Sequence, residues 1–499
     1  MKQNHLFTYS KICALALTGA GALFFTSCAK DGYDDESFDS GVSNTQVASI
    51  SADDITVTPS ADGKTQTISW PVVMGAGGYR VNLIDASNPD EPLINDSIVD
   101  GCSVTTKREE DVNYEMTILT LGNKKKNNTD ASETVEFAFS TFTPTYMTIP
   151  AGSDLTEWFA ANPLPADKIG ENLNFDLEGG EEYTISGLID FDGQAVTLRS
   201  NSKTDHPTIT LTSGDAAINF TAAFNAKYLD FDCAARVGAK GVFEFSKNTS
   251  VAPATDIDAS VYAWAGPIIF DPITIVSCNF KNLKSYLFFD NQQKTACMTF
   301  LVDNCFVHMT PETNLGGGVF WTNKGGHIND LTVSNSTFYE PLDNPGDFKY
   351  FYQAGMATGP NLYVKDTPEY TAATNSVNYL NCTFYHVTWN GGQWGNYNGM
   401  QSKVYSYWIM KNCIFFDCSP SGVARRFLHG RTNQPHAEFA NNTYMNADGT
   451  FQDPGNYDTS GTNIESDPQF ANPANGDFTI SGSVQLERQT GDPRWLPEN

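Results

Sequence analysis

A short element recurs through the later part of the chain: a polar residue, usually asparagine, then a small residue, one variable position and usually an aromatic. It stands as Asn381-Cys382-Thr383-Phe384 and Asn412-Cys413-Ile414-Phe415, with close variants at Asn335-Ser336-Thr337-Phe338 and Asn441-Asn442-Thr443-Tyr444. Ser277-Cys278-Asn279-Phe280 and Asn304-Cys305-Phe306-Val307 are looser, and Asp232-Cys233 is the loosest. Counted from Asp232 the steps are 45, 27, 31, 46, 31 and 29 residues, so two of them leave room for a further degenerate copy. Alternating hydrophobics lead into the element, so the unit is built of strands and turns. One such coil cannot bury its own inward face. Stacking must do it, and equivalent side chains then lie above one another. Asparagine tolerates the left-handed backbone of a tight turn, and its amide can bond to the amide one coil away. The next residue points inward, where a small group fits, and the aromatic fills the following gap. The period predicts a parallel β-helix.

Composition agrees. Aromatics make up 12% and hydrophobics 40%, too much packing material for a disordered chain. Charged residues are only 18% against 40 glycines, a balance that favours strands and turns over long helices and an all-β class. The formal net charge of −28 repels phosphate backbones and argues against nucleic-acid binding. Apart from Cys13 and Cys28, the cysteines are Cys102, Cys233, Cys278, Cys297, Cys305, Cys382, Cys413 and Cys418. There is no C-x-x-C or H-E-x-x-H, so zinc has no support. The spacing reads as an interior stack, with Cys102 a packed thiol; some disulfide pairing stays open.

The N-terminus has a weakly basic start (Lys2, His5, Lys11) and an apolar run over residues 12–25, too short to span a bilayer. It ends in Phe25-Thr26-Ser27-Cys28, which resembles a bacterial lipobox. The resemblance implies that residues 1–27 are a lipoprotein signal peptide and that Cys28 carries the lipid. Without those residues the formal charge is −30. The acidic tether over 28–46, opening Ala29-Lys30-Asp31-Gly32-Tyr33-Asp34-Asp35-Glu36, resembles the export tag of surface lipoproteins of Gram-negative gut glycan degraders. It implies an outer-membrane anchor facing the cell exterior.

Residues 47–143 carry short alternating runs around Ile55 and Val57, Thr67 to Trp70, Tyr79-x-Val81-x-Leu83, Tyr114-x-Met116-x-Ile118 and Val135-x-Phe137-x-Phe139. Such spacing predicts a β-sandwich. The order of Trp70, the Gly78-Tyr79-Arg80-Val81 run and the Tyr114 strand resembles a fibronectin type III domain, which implies a spacer role. Lys124-Lys125-Lys126 reads as a solvated hairpin tip.

Residues 145–499 hold the β-helix. Asp154-Leu155-Thr156-Glu157 resembles a capping box that opens a short helix ending before Pro163, placed to cover the first coil. The segments around Gly179-Gly180-Glu181-Glu182-Tyr183 and Ala195-Val196-Thr197-Leu198-Arg199 read as first coils. Asp467-Pro468-Gln469-Phe470, Gly476-Asp477-Phe478 and Gly491-Asp492-Pro493-Arg494-Trp495 read as a closing segment. Together these resemble the uncharacterised pectate-lyase-like lipoproteins found beside glycan-importing systems, known only as domains of unknown function. That resemblance implies a right-handed β-helix handling polysaccharide, often pectin, at the cell surface beside glycan-import proteins; it carries over no catalytic residue.

No Asp-Asp pair follows Thr143, and Asn128-Thr129-Asp130 falls in the sandwich. His327 follows Gly325-Gly326 but precedes Ile328, so the signatures of β-helical galacturonan hydrolases fail. Two constellations remain. Arg425, Arg426, His429 and Arg431 concentrate cations in an acidic chain and suit bidentate recognition of uronates. Trp389, Trp394 and Tyr397 on a Gly/Asn loop offer rings for stacking on sugars. Residues 339–378 break the repeat and carry Tyr350, Phe351 and Tyr352, as a loop beside a groove would. The expected function is capture of a pectin-like acidic polysaccharide. A calcium-dependent lyase with Arg425, Arg426 or Arg431 as base is the alternative, and a non-catalytic scaffold or adhesin the third. The overall charge sits awkwardly with a polyanion, so either the arginines make a local positive patch or the glycan is neutral.

Overall fold

The computed structural model describes residues 41–61, 63–248, 266–313, 315–322, 325–354, 374–397 and 406–497. The expected signal peptide, Cys28 and most of the expected tether lie outside them. The chain divides into two compact units, one of residues 1–109 and 114–139, the other of residues 110–113 and 140–499.

The first unit holds two antiparallel sheets. Thr56–Pro59, Thr65–Ser69 and Ser103–Lys107 form one; Ala76–Asp85 pairs with Ile94–Val99 and Asn113–Gly122 in the other, which Val135–Ser140 completes. Strand alternation sends Ile68, Tyr79, Val81, Leu83, Tyr114, Met116 and Ile118 inward. Trp70 meets Tyr79 edge-on at 5.4 Å.

The second unit is a right-handed parallel β-helix with three faces. Among the described residues its parallel sheets have nine, seven and eleven strands, and each coil contributes successive strands to the three faces. The repeat lies at the corner between the eleven- and nine-stranded faces. Asn304, Asn335, Asn381, Asn412 and Asn441 all take left-handed φ between 47° and 55° there. Their amides form a ladder: Asn381 Nδ2 donates to Asn335 Oδ1 at 3.0 Å, Asn412 Nδ2 to Asn381 Oδ1 at 3.0 Å, and Asn441 Nδ2 to Asn412 Oδ1 at 3.1 Å. The residue after each turns inward, so Cys278, Cys305, Ser336, Cys382, Cys413 and Asn442 are buried. The aromatics follow as an inner column, with Phe231 on Phe280, Phe338 on Phe384, Phe384 on Phe415 and Phe415 on Tyr444 stacked at 5.0 to 5.8 Å. All eight described cysteines are free thiols.

Two details of the repeat need correction. Asp232-Cys233 is out of register: Asp230 pairs with Asn279, so Tyr228-Leu229 is the equivalent of Ser277-Cys278, and Tyr228 has the left-handed φ of 59°. The long steps hide no extra coil either. Phe224–Lys227 pairs directly with Ile273–Val276, and His327–Ser334 with Asn375–Leu380, so each long step is one coil with an insertion. Within the second, Tyr350–Ala354 keeps the rhythm as a strand of the seven-stranded face.

A helix closes the N-terminal end, and the C-terminal segment covers part of one face. Asp154 caps helix α1 (Leu155–Ala161), accepting from the Thr156 and Glu157 amides, and Leu155 and Phe159 pack on the first coil. The C-terminal segment crosses the outside of the nine-stranded face. There Phe478 contacts Tyr339 and Tyr385 at 5.2 and 5.3 Å, and the Trp495 Nε1 donates to Thr337 Oγ1 at 2.7 Å.

Candidate functional site

The candidate aromatics separate. Trp394 lies in the strand Gln393–Tyr397, paired with Tyr350–Ala354, and alternation turns it into the core. It has no exposed surface and stacks on Phe351 at 4.7 Å, with Phe384 and Phe415 on its edges. The expectation that it stacks on sugar is therefore wrong: a ring inside the coil cannot reach a glycan. The Tyr397 side chain, and 398–399 of the same stretch, lie outside the described residues. Trp389 stays at the surface, half-buried, lying flat against His386 at 4.4 Å.

Residues 425–431 form no strand. Val423–Phe427 is a short helix, α2, which buries Val423, Ala424 and Phe427 against the last coil and turns Arg425 and Arg426 outward. Arg425 and Arg431 are exposed. Burial and then the charge of Arg425 lower the Arg426 pKa, and burial followed by Arg426 and Arg431 lowers that of His429. Arg425 and Arg426 are neighbours on α2 and Arg431 follows just after it, so the three form a short cationic terrace along the chain. Arg426 Nε is buried and has no hydrogen-bond partner.

Sequence reasoning missed a groove of about 790 Å³ on the outer surface of the nine-stranded face, just before the closing segment crosses it. Outward positions on successive strands make its floor: Asp230, then Asn279 and Lys281, then Phe306 and His308, then Tyr339. Lys203 and His206 wall one end, and Arg494 of the closing segment the other. Arg494 Nη2 donates to the Asn304 carbonyl at 2.9 Å, and its guanidinium lies 5.5 Å from the centre of the Phe306 ring. Phe306 and His308, both half-buried, stack on Tyr339 at 5.1 and 4.9 Å; Tyr339 itself is buried beneath Phe478, so the rings this small aromatic platform offers are Phe306 and His308. Asp230, the acidic group of the lining, accepts from Asn279 Nδ2 at 2.7 Å and faces His206 Nδ1 at 2.9 Å. Burial pushes His308 below the ordinary imidazole range, so it is neutral at pH 7. The standing positive charge comes from Lys203, Lys281 and Arg494.

A buried acidic corner lies behind Trp389. The Trp389 Nε1 donates to Glu340 Oε2 at 3.3 Å, and the Asn390 amide to Asp347 Oδ2 at 2.8 Å. Nearby, His386 Nδ1 faces Asp417 Oδ2 at 2.7 Å. Burial, then the charge of Asp347, pushes Glu340 well above the usual carboxylate range; burial raises Asp347 to about 7. Among the described residues no three His, Cys, Asp or Glu side chains stand where they could jointly hold a metal ion. No calcium site is therefore assigned.

Three parallel sheets, with a helix over the first coil and a C-terminal segment across one face, place the second unit among parallel β-helices. Successive stretches match three families, each described as a domain of unknown function: DUF4992 over residues 1–180, DUF4957 over 181–341 and DUF5123 over 331–495. Among solved structures, the chain is similar to pectate lyase PelI of Erwinia chrysanthemi in complex with tetragalacturonic acid, at 12% identity and a TM-score of 0.20, over 67% of this chain and 88% of that one. A second PelI structure gives 13% identity and a TM-score of 0.21 over 65% and 87%. No curated protein matches the chain.

Proposed function

We propose that the protein is a surface lipoprotein, anchored in the outer membrane through Cys28, that captures an anionic, pectin-like polysaccharide. The groove carries this reading. Lys203, Lys281 and Arg494 concentrate positive charge around an aromatic platform in a chain of net charge −28, and hydrogen-bonding Asn279, Asn282 and Asn304 line the same groove. That combination suits uronate rings, whose carboxylates pair with cations while ring faces and hydroxyls meet aromatics and amides. It also removes the tension with the overall charge, because the patch is local. The terrace of Arg425, Arg426 and Arg431 is a second cationic surface on the same unit. Trp389 supplies an aromatic contact outside the groove.

The test is calorimetric titration of polygalacturonate into protein that starts at Thr45. Lys281→Ala and Arg494→Ala should each weaken binding by roughly ten- to hundredfold, since hydrogen bonds to charged groups contribute about 1.5–3 kcal/mol. Affinity should also fall steeply with salt. Unchanged affinity in a folded double variant would remove the groove from the account. The desolvated Arg426, with its unpaired Nε, favours a lyase as the second reading. Appearance of unsaturated uronate absorbance during the same incubation, lost in Arg426→Lys, would establish it. For the anchor, fatty-acid labelling in cells should be lost in Cys28→Ser.

A further inference from the structure

We propose that Glu340 and Asp347 form a proton-dependent clamp that fixes the Trp389 ring on the outside of the β-helix. The consequence for ligand binding rests on the reading of Trp389 as a glycan contact; the clamp itself does not.

Two segments meet at this corner. One runs from the end of the strand Thr337–Tyr339 to Phe348, the other from His386 to Gly392. Both carboxyl groups belong to the first and hold the second. Glu340 Oε2 takes the indole N–H of Trp389 at 3.3 Å and Asn344 Nδ2 at 3.4 Å. Asp347 Oδ2 takes the Asn390 amide at 2.8 Å, and the Trp389 and Phe348 amides also face this carboxyl. The ring is pinned between these bonds and the His386 imidazole.

Each of these acids spends one oxygen on the clamp and leaves the other without a protein partner. Glu340 Oε1, Asp347 Oδ1 and His386 Nε2 are all buried and unpartnered, and Glu340 has no exposed surface. Glu340 is buried and Asp347 half-buried, so a charge on either carboxyl is poorly solvated and faces the other acid. The titratable groups around them are Asp417, His386 and Cys418. Asp417 adds negative charge, and the buried Cys418 thiol is pushed well above its usual range and stays neutral. No lysine or arginine makes an ion pair with these acids among the described residues. The clamp is therefore stable while the pair holds its protons. As Asp347 loses its proton on the approach to neutral pH, its desolvated charge needs water, and release of the 386–392 segment that lies over it admits water to the carboxylate. Trp389 then loses its fixed orientation, and a preorganised contact becomes a mobile one.

The experiment uses protein labelled with 5-fluorotryptophan, with the Trp389 fluorine resonance assigned by its loss in Trp389→Phe. Between pH 4 and pH 9 that resonance should move as Asp347 loses its proton, the ratio of released to clamped form growing by up to about tenfold per pH unit below about pH 7 and levelling off above it. Asp347→Asn and Glu340→Gln, which keep the size of the neutral acids, should abolish or displace the transition. A resonance that stays still over this range in the unmodified sequence overturns the clamp. So does a transition that persists unchanged in both variants, which would assign it to His386 or Asp417. Polygalacturonate affinity, measured alongside, should drop by roughly two- to tenfold across the transition, the scale of one lost aromatic contact. If the resonance moves and the affinity does not, the clamp stands and Trp389 is no part of the glycan site.

Discussion

The asparagine ladder makes a sharp energetic prediction at Asn381. Its side chain makes two ladder bonds, donating to Asn335 and accepting from Asn412, each at 3.0 Å. Its backbone sits at a left-handed φ of 52°. Asn381→Ala removes both bonds, at about 0.5–1.5 kcal/mol each, and puts a residue with a Cβ but no local hydrogen bond into the left-handed region, at about 1–2 kcal/mol. The expected loss is about 2–5 kcal/mol. Asn381→Gly loses the same bonds but not the backbone term; its extra unfolded-state freedom costs about 0.5–1 kcal/mol. The glycine variant should thus be the more stable of the two by a fraction of a kcal/mol to about 1 kcal/mol. Urea unfolding of the β-helix transition, followed by tryptophan fluorescence, measures both. An alanine variant within about 0.5 kcal/mol of the parent, or a glycine variant clearly less stable than alanine, would refute the ladder as a stabilising device.

Other consequences follow from the same geometry. Trp394→Ala should destabilise the β-helix by about 3–5 kcal/mol through the cavity it leaves; urea unfolding measures this, and a mild effect would place the ring outside the core. Seven of the eight described cysteines are buried. In native protein starting at Thr45 they should resist a thiol reagent and should all react in denaturant without reductant; a missing thiol there would reveal a disulfide. Because Asp347 has a folded pKa of about 7 against an ordinary 3.8, the folded state holds this proton more tightly than the unfolded one. Its contribution is full below about pH 4 and is lost as pH rises toward 7, at about 1.4 kcal/mol per unit. Stability measured from pH 5 to pH 8 should fall less in Asp347→Asn, and parallel curves would contradict the assignment.

Much of the fold was legible because its corner demands particular chemistry. A left-handed turn with an amide ladder needs asparagine, an inward-facing corner needs a small group, and together they mark each coil. Where a coil meets the demand differently, the signal vanishes. Tyr228 takes the left-handed position and Leu229 the inward one, so the pattern slipped to Asp232-Cys233. Trp394 was misread because the strand Gln393–Tyr397 has glycines and asparagines around it, as a loop would. Only its pairing with Tyr350–Ala354 places it inside. The groove was hidden for another reason: its residues come from coils far apart in sequence, and Arg494 arrives from the closing segment. A signal did exist. The positions flanking the inward aromatic of each repeat face outward, and reading them down successive coils gives Asn279 and Lys281, then Phe306 and His308, then Thr337 and Tyr339.

The most direct test of glycan capture is a crystal of the β-helix grown with a galacturonate oligomer. Sugar rings are expected in the groove over Asn279 and Lys281, with a ring carboxylate at Arg494 and a ring face on Phe306 or His308. An oligomer bound instead only at Trp389 or the Arg425 terrace, with the groove holding none at saturating concentration, would contradict it.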